Sequence, residues 1–274
     1  MASVIYRFIP ILRVEEPLPL DVWPAPEREA PQLDRPRHEA PQRPGVLHLL
    51  GVGIGTANLA LAALADSVEG LPVQLFDARP RFATPAPPDA ASPVSFLADL
   101  VTLVEPANRW SFLSYLRAQH RMHPFYLDGR FHLPQREYDD YCRWVASAVP
   151  NCHFGTRVDA VSWAGDHFVV RTARTAHAIR DEVAGDGDGV RATYRARNLV
   201  LDLGADPQRP RFLRPLGDSI AWEEPGADHR VRNDPGIAGG LFLQRPGQDG
   251  IDVDAYRCAA ILNQVAGREV FSDS

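Results

Sequence analysis

The stretch Val46-Leu47-His48-Leu49-Leu50-Gly51-Val52-Gly53-Ile54-Gly55-Thr56 constrains the fold more than any other part of the chain. Its mostly apolar start predicts a short buried strand, and the glycines that end it predict a tight turn. Ala57 to Ala65 follow directly, and Leu59, Leu61 and Leu64 give them a helical stripe. Pro72 to Asp77 then read as a second buried strand ending in an acid. Strand, glycine turn, helix and strand make a βαβ beginning, which places the chain in the α/β class as a Rossmann-like dinucleotide-binding domain. In such a unit Gly51 permits the turn and Gly53 lets a pyrophosphate approach the backbone. Gly55 and Thr56 open a helix whose free amides and dipole favour an anion, with Thr56 standing at the third glycine position of the fingerprint. Asp77 lies 26 residues after Gly51 and is expected on an adenosine ribose. The motif leaves FAD and NAD both open.

Later segments fit the same class. Phe96 to Val104, Trp110 to Gln119 and Gln135 to Val149 predict helices, with Pro106 and Pro134 marking a break and a start. Val158 to Trp163, His167 to Thr172, Val190 to Ala196 and Leu199 to Leu203 predict strands of an antiparallel β-meander, with Gly185 to Gly189 as a turn. A proline-rich irregular stretch reaches Gly240, before a last strand at Leu241 to Leu243 and a last helix at Val253 to Val265. Ahead of all this, residues 1–44 hold nine of the 25 prolines. That density leaves few paired backbone donors and predicts a disordered proline-rich N-terminal arm, in which Val4 to Ile9 is the one apolar piece. The expected organisation is the arm, 1–44, followed by one domain, 45–274.

Composition removes several chemistries. All 29 basic residues are arginine, so no lysine is present to act in a P-loop, a Schiff base or a pyridoxal linkage. The net charge of −6, with signs interspersed, predicts neither nucleic acid nor anionic membrane as a partner. Cys142, Cys152 and Cys258 form no CxxC pair and read as reduced, buried thiols; with no membrane-spanning apolar run and no leader pattern, a cytoplasmic location is expected. His120 and His123 stand three apart with no third ligand suggested, so no metal site is expected. Arg136, Glu137 and Tyr138 open a helix and read as capping and a solvated face, while Trp110, Phe112 and Tyr115 read as core.

Several separate motifs occur in the order of one family. Ser95 to Leu103, Glu105-Pro106, Trp110 to Leu116, Phe131 to Tyr138 and Tyr141 to Ala146 closely resemble the flavin-dependent N-hydroxylating monooxygenases. Ala98 sides with the lysine N6-hydroxylase and diamine N-hydroxylase branch of siderophore biosynthesis, because ornithine enzymes carry a lysine there. The resemblance runs from about Val46 to Leu203 and resumes weakly from Leu241 to Gly267. It implies FAD in the first fold, reduction by NADPH held on an inserted second nucleotide domain, and oxygen activation for attack by a neutral primary amine.

Departures from the family qualify that implication. Fewer than forty residues lie between Leu203 and Leu241, so the NADPH domain is missing between about 204 and 240 and no NADPH site is expected. Gly236 to Gly240 precede a strand and read as a turn. Pro93 replaces a glutamine near the flavin, Ala83 to Pro88 replace a His-Pro-Gly-Met segment, and Asp249-Gly250 replace His-Gly. The expected protein is a truncated FAD-binding relative that hydroxylates a primary amine with reductant from outside. The alternative is a pseudoenzyme that binds a partner hydroxylase or reductase. No catalytic residue is assigned.

Overall fold

A computed structural model describes residues 45–83, 94–129, 132–175, 191–204, 208–222, 225–226, 228–244 and 252–272. The arm, the 185–189 turn, Pro93, residues 84–88 and Asp249-Gly250 lie outside the described residues.

The predicted βαβ beginning is present. Strand β1 (Leu47–Val52), helix α1 (Thr56–Ala65) and strand β2 (Val73–Phe76) follow in order, and β1 pairs parallel with β2. Every residue of α1 after Thr56 is buried, because the helix packs on helices α4 (Gln135–Ala148) and α5 (Asp252–Ala266) as well as on the sheet. Its Ala-rich sequence suits that position, since small side chains let neighbouring elements approach closely.

Among the described residues the main sheet has seven strands. Its path is β5 (Cys152–His153), β2, β1, β8 (Arg191–Asp202), β7 (Phe168–Arg174) and β6 (Thr156–Trp163), with β9 (Leu241–Gln244) joined to β8. One half is parallel, and the β6–β7–β8 part is the expected antiparallel meander. The mixed α/β class with a Rossmann-like core is therefore the fold observed.

The two strands expected at Val190–Ala196 and Leu199–Leu203 are one continuous strand that changes partner. Residues 191–196 of β8 pair antiparallel with β7, whereas Leu199 to Asp202 pair parallel with β9. Asn198 bridges the changeover: its Nδ2 donates to the His48 carbonyl at 2.9 Å and its Oδ1 accepts the Gly240 amide at 2.8 Å. A Cβ on Gly239 would lie 2.3 Å from the Arg197 carbonyl oxygen, so the turn before β9 needs a residue without a side chain. Periodicity alone does not reveal such a change of partner.

Between β2 and α4 the sequence reading needs correction. The helix expected over Phe96–Val104 is only a 3-10 turn at Phe96–Ala98, because the buried Asp99 carboxylate draws the backbone into a local cap. It accepts the amides of Val101 (2.9 Å), Thr102 (2.6 Å) and Phe112 (2.5 Å), a short-range alternative to helix. Helix α2 (Phe112–Ala118) starts later than expected and is capped by Ser111, whose Oγ accepts the Ser114 amide. A helix not foreseen, α3 (Met122–Asp128), follows and ends at Gly129, which has a left-handed backbone. Strands β3 (Val94–Ser95) and β4 (His132–Leu133) make a separate small ladder.

Trp110, Phe112 and Tyr115 are core as expected, packed edge-on or tilted against Tyr141, Trp144 and Phe125. Glu137 and Tyr138, by contrast, face inward rather than to solvent. Arg121 reaches Glu137 through two bonds of 2.7 and 2.9 Å, so the helix start is held by a partly buried bidentate ion pair. All three cysteines are free and buried. His120 and His123 are exposed, and no cluster of three metal-ligating side chains occurs among the described residues. No helix among them is long and apolar enough to cross a membrane.

Candidate functional site

β1 lies between β2 and β8 and runs parallel to both, so the ends of three neighbouring strands meet at one edge. The glycine turn follows β1, Asp77 follows β2, and Asp202 ends β8. Ligands of open α/β sheets bind outside such carboxyl ends.

Each glycine of the turn has its own steric reason. A Cβ on Gly51 would come within 2.7 Å of Leu75 Cγ on the adjacent strand. Gly53 has φ of +83°, and a Cβ there would sit 2.0 Å from the backbone oxygen of Asp202. A Cβ on Gly55 would meet the Asp202 carboxylate at 2.6 Å. The expected demand for close approach at Gly53 is therefore present, and in this structure the approaching group belongs to the protein.

Asp77 sits where expected, buried at the end of β2. Its carboxylate accepts the Ile54 amide at 2.8 Å and the Arg79 amide at 2.7 Å, and the Arg79 guanidinium closes on it at 2.6 Å. Arg79 also donates to the Ile54 carbonyl at 2.7 Å, which ties β2 to the glycine turn. The hydrogen bond to Asp77 raises the guanidinium pKa above its ordinary value despite partial burial.

Helix α1 has Gly55 at its N-cap, with no side chain to cap it. Asp202 fills that role from across the sheet: its Oδ2 accepts the Gly55 amide at 3.1 Å and the Asn58 amide at 3.2 Å. Burial pushes the Asp202 carboxyl above the usual carboxylate range, opposed by the amides of Asn58, Gly204 and Gly55 and by nearby Arg79. Asn58 locks the turn further, since its Nδ2 donates to the Gly53 carbonyl at 2.7 Å and its Oδ1 accepts from Gln244 on β9 at 2.8 Å. Asp254, on α5, is pushed up to about 6 by burial, against the pull of Arg257.

Gly51, Gly53, Gly55, Thr56 and Asp77 are thus brought together as the sequence predicts. Arg79, Asn58, Asp202 and Gln244 complete the same site and were not foreseen. Arg79 had a readable signal, a cation two residues beyond the strand-end acid; the other three depend on long-range pairing. The backbone frame fits a dinucleotide: the glycine turn admits close approach, and Thr56 and Ala57 carry first-turn amides that have no acceptor within the helix. The charge arrangement fits only if the Asp202 carboxylate gives way. A separate cavity of about 730 Å³ is lined by residues including Asp228, Arg230, Arg232, Asn233 and Asp234, none of which belongs to the glycine turn.

Fold and site together define a Rossmann-type dinucleotide domain with an appended antiparallel meander. The family described as L-lysine 6-monooxygenase/L-ornithine 5-monooxygenase matches residues 45–230, and the chain belongs to that family. A rhizobactin siderophore biosynthesis protein of Rhizobium meliloti is 36% identical over 171 residues, covering 61% of this chain and 35% of the relative. The putrescine N-hydroxylase of Shewanella oneidensis is 34% identical, over 60% of this chain and 32% of its own length. The chain therefore spans about a third of the length of these relatives. Among solved structures, an FAD-bound cadaverine monooxygenase from Erwinia amylovora superposes with a TM-score of 0.71 at 16% identity, over 84% of this chain and 97% of that one. That likeness is one of fold. An ornithine N-hydroxylase from Kutzneria has a TM-score of 0.50 at 28% identity, over 61% of this chain and 39% of its own.

Proposed function

We propose that this chain is the FAD-binding part of an amine N-monooxygenase that serves siderophore or related biosynthesis, with the lysine and diamine enzymes as its nearest functional type. The observation that carries the reading is the juxtaposition of the glycine turn, the α1 N-terminus and the Asp77–Arg79 pair at the ends of parallel strands. The amides of the Gly51 to Thr56 turn would take the pyrophosphate, and Asp77 the adenosine ribose, with Arg79 holding the carboxylate in place. Bound FAD supplies the redox chemistry that activates oxygen, and the chain's own residues bind and orient it.

The reductant comes from outside this chain in our reading. Among the described residues between Gly204 and Leu241 there is a 3-10 segment (Arg211–Ser219) and two isolated bridges, Ile220 with Asn233 and Arg230 with Phe242, and no strand, glycine turn and helix in sequence. Hydride transfer needs a donor held against the flavin, and that advantage is lost without a surface to hold it. Asp202 favours a second reading, in which the site has lapsed and the chain acts by binding a partner hydroxylase or reductase.

Titration with FAD, followed by flavin absorbance and fluorescence, tests the first reading. Saturable binding supports it, and its absence at every pH tried removes it. With FAD present, the chain alone is expected not to oxidise NADPH when lysine, ornithine or cadaverine is added, and hydroxylamine should form once a flavin reductase is supplied. Saturable NADPH oxidation by the chain alone would overturn the external-reductant part.

A further inference from the structure

Asp202 caps α1 at the place where the amides and dipole of a Rossmann helix receive phosphate, and two separate shape features seat it there. Gly55 has no Cβ, which would otherwise stand 2.6 Å from the Asp202 carboxylate, and Gly53 has none, which would stand 2.0 Å from the Asp202 carbonyl. The carboxylate is buried, and two of its partners, the Gly55 and Asn58 amides, belong to the groups that a pyrophosphate would need. An anion already held by the helix and an incoming dianion compete for one positive end.

We propose that Asp202 is an internal anion that competes with the dinucleotide pyrophosphate for the α1 N-terminus, and so sets the affinity of this chain for FAD. The inference rests on the FAD reading above. Ionised and in place, the carboxylate excludes the phosphate; neutral or turned away, it releases the Gly55 and Asn58 amides. The charged and titratable groups around it are Arg79, beyond β2, and Asp254 and Cys258, on α5. Burial holds the Asp202 carboxyl above its ordinary range, so a falling pH favours its neutral form sooner than it would for an exposed carboxylate.

The test is the FAD dissociation constant of the full chain from pH 5.5 to 8.5, for wild type, Asp202→Asn, Asp202→Ser and Asp254→Asn, each checked by melting. Asp202→Asn keeps an oxygen to accept the two amides and removes the charge. At pH 8 it should bind FAD at least tenfold more tightly than wild type. Wild-type affinity should rise as the pH falls, Asp254→Asn should keep that slope, and Asp202→Asn should lose most of it. If Asp202→Asn fails to fold, Asp202→Ser and the wild-type pH series decide the same point. Folded Asp202 variants that bind FAD no more tightly than wild type, or a flat wild-type pH series, overturn the inference and leave Asp202 as a helix cap only. If no variant binds FAD at any pH, the FAD reading itself fails, and the inference with it.

Discussion

Two strands on either side of β1 end in an aspartate beside the same glycine turn, and the two acids are treated in opposite ways. Asp77, after β2, meets a guanidinium and two amides, so its charge is balanced within the half-exposed Arg79 pair. Asp202, at the end of β8, sits on the positive end of a helix and is held mainly by neutral amides. The first acid has its charge balanced by a cation beside it; the second holds the α1 N-terminus with a group of the protein itself. The comparison separates recognition geometry from availability: a site can have the right backbone and still be occupied by its own side chain.

The largest expected effect tests the backbone of that arrangement. Gly53→Ala places a methyl group against the Asp202 carbonyl in a left-handed conformation, so the end of β8 has to move. A loss of roughly 3 kcal/mol or more is expected, or roughly 10 °C in melting temperature, without any FAD present. Gly51→Ala meets only the side chain of Leu75, which can shift, and should cost clearly less. Calorimetry on both variants checks the order. If Gly53→Ala melts like wild type, the close approach of β8 is wrong, and the glycine is needed for a ligand alone.

An intermediate effect compares the two acids directly. Arg79→Ala leaves the buried Asp77 carboxylate with amides only, and a loss of about 1–2 kcal/mol at pH 8 is expected after allowing for the exposure of the arginine. Asp202→Asn should cost less than this or stabilise the protein. Burial raises the Asp202 pKa in the folded chain, so the folded state holds its proton more tightly than the unfolded state, and stability falls as pH rises from the ordinary carboxylate range through the raised value. Wild type should therefore lose ground to Asp202→Asn at high pH and recover it as the pH falls. Urea unfolding at pH 5.5 and pH 8 measures both differences, and a larger loss in Asp202→Asn than in Arg79→Ala at pH 8 would reverse the comparison.

The same two acids show what was legible in the sequence. Asp77 was readable because its meaning depends on local order: strand, glycine turn, helix, strand, acid. Asp202 was not, because its role comes from a strand 144 residues away from Asn58 that the parallel pairing brings to the helix start. The continuity of β8 is hidden for a related reason, since burial alternates along its first part and becomes continuous over Leu199 to Asp202, so the one strand reads as two. At Phe96–Val104 the apolar spacing suggested helix, and a single buried carboxylate outweighed it. Patterns that act within one turn or one strand are visible in a sequence; side chains whose partners arrive through the sheet are not.

The smallest expected effect concerns the proline-rich residues 1–44. The family match begins at residue 45 and the sheet at Leu47: His48 on β1 donates its amide to Pro72, and Leu47 to Val52 pair with β2 and β8. Strand β1 is therefore anchored on both sides by partners later in the chain. Nine prolines within 1–44 also leave few donors for cooperative backbone pairing. A chain starting at Gly45 should accordingly melt within a few degrees of the full one, and the Asp202 and Arg79 differences should persist in it unchanged. A larger drop, restored by Val4 to Ile9 added as a peptide, would show that the apolar piece docks on the domain. It would then join the comparison as a third contributor to the site's stability.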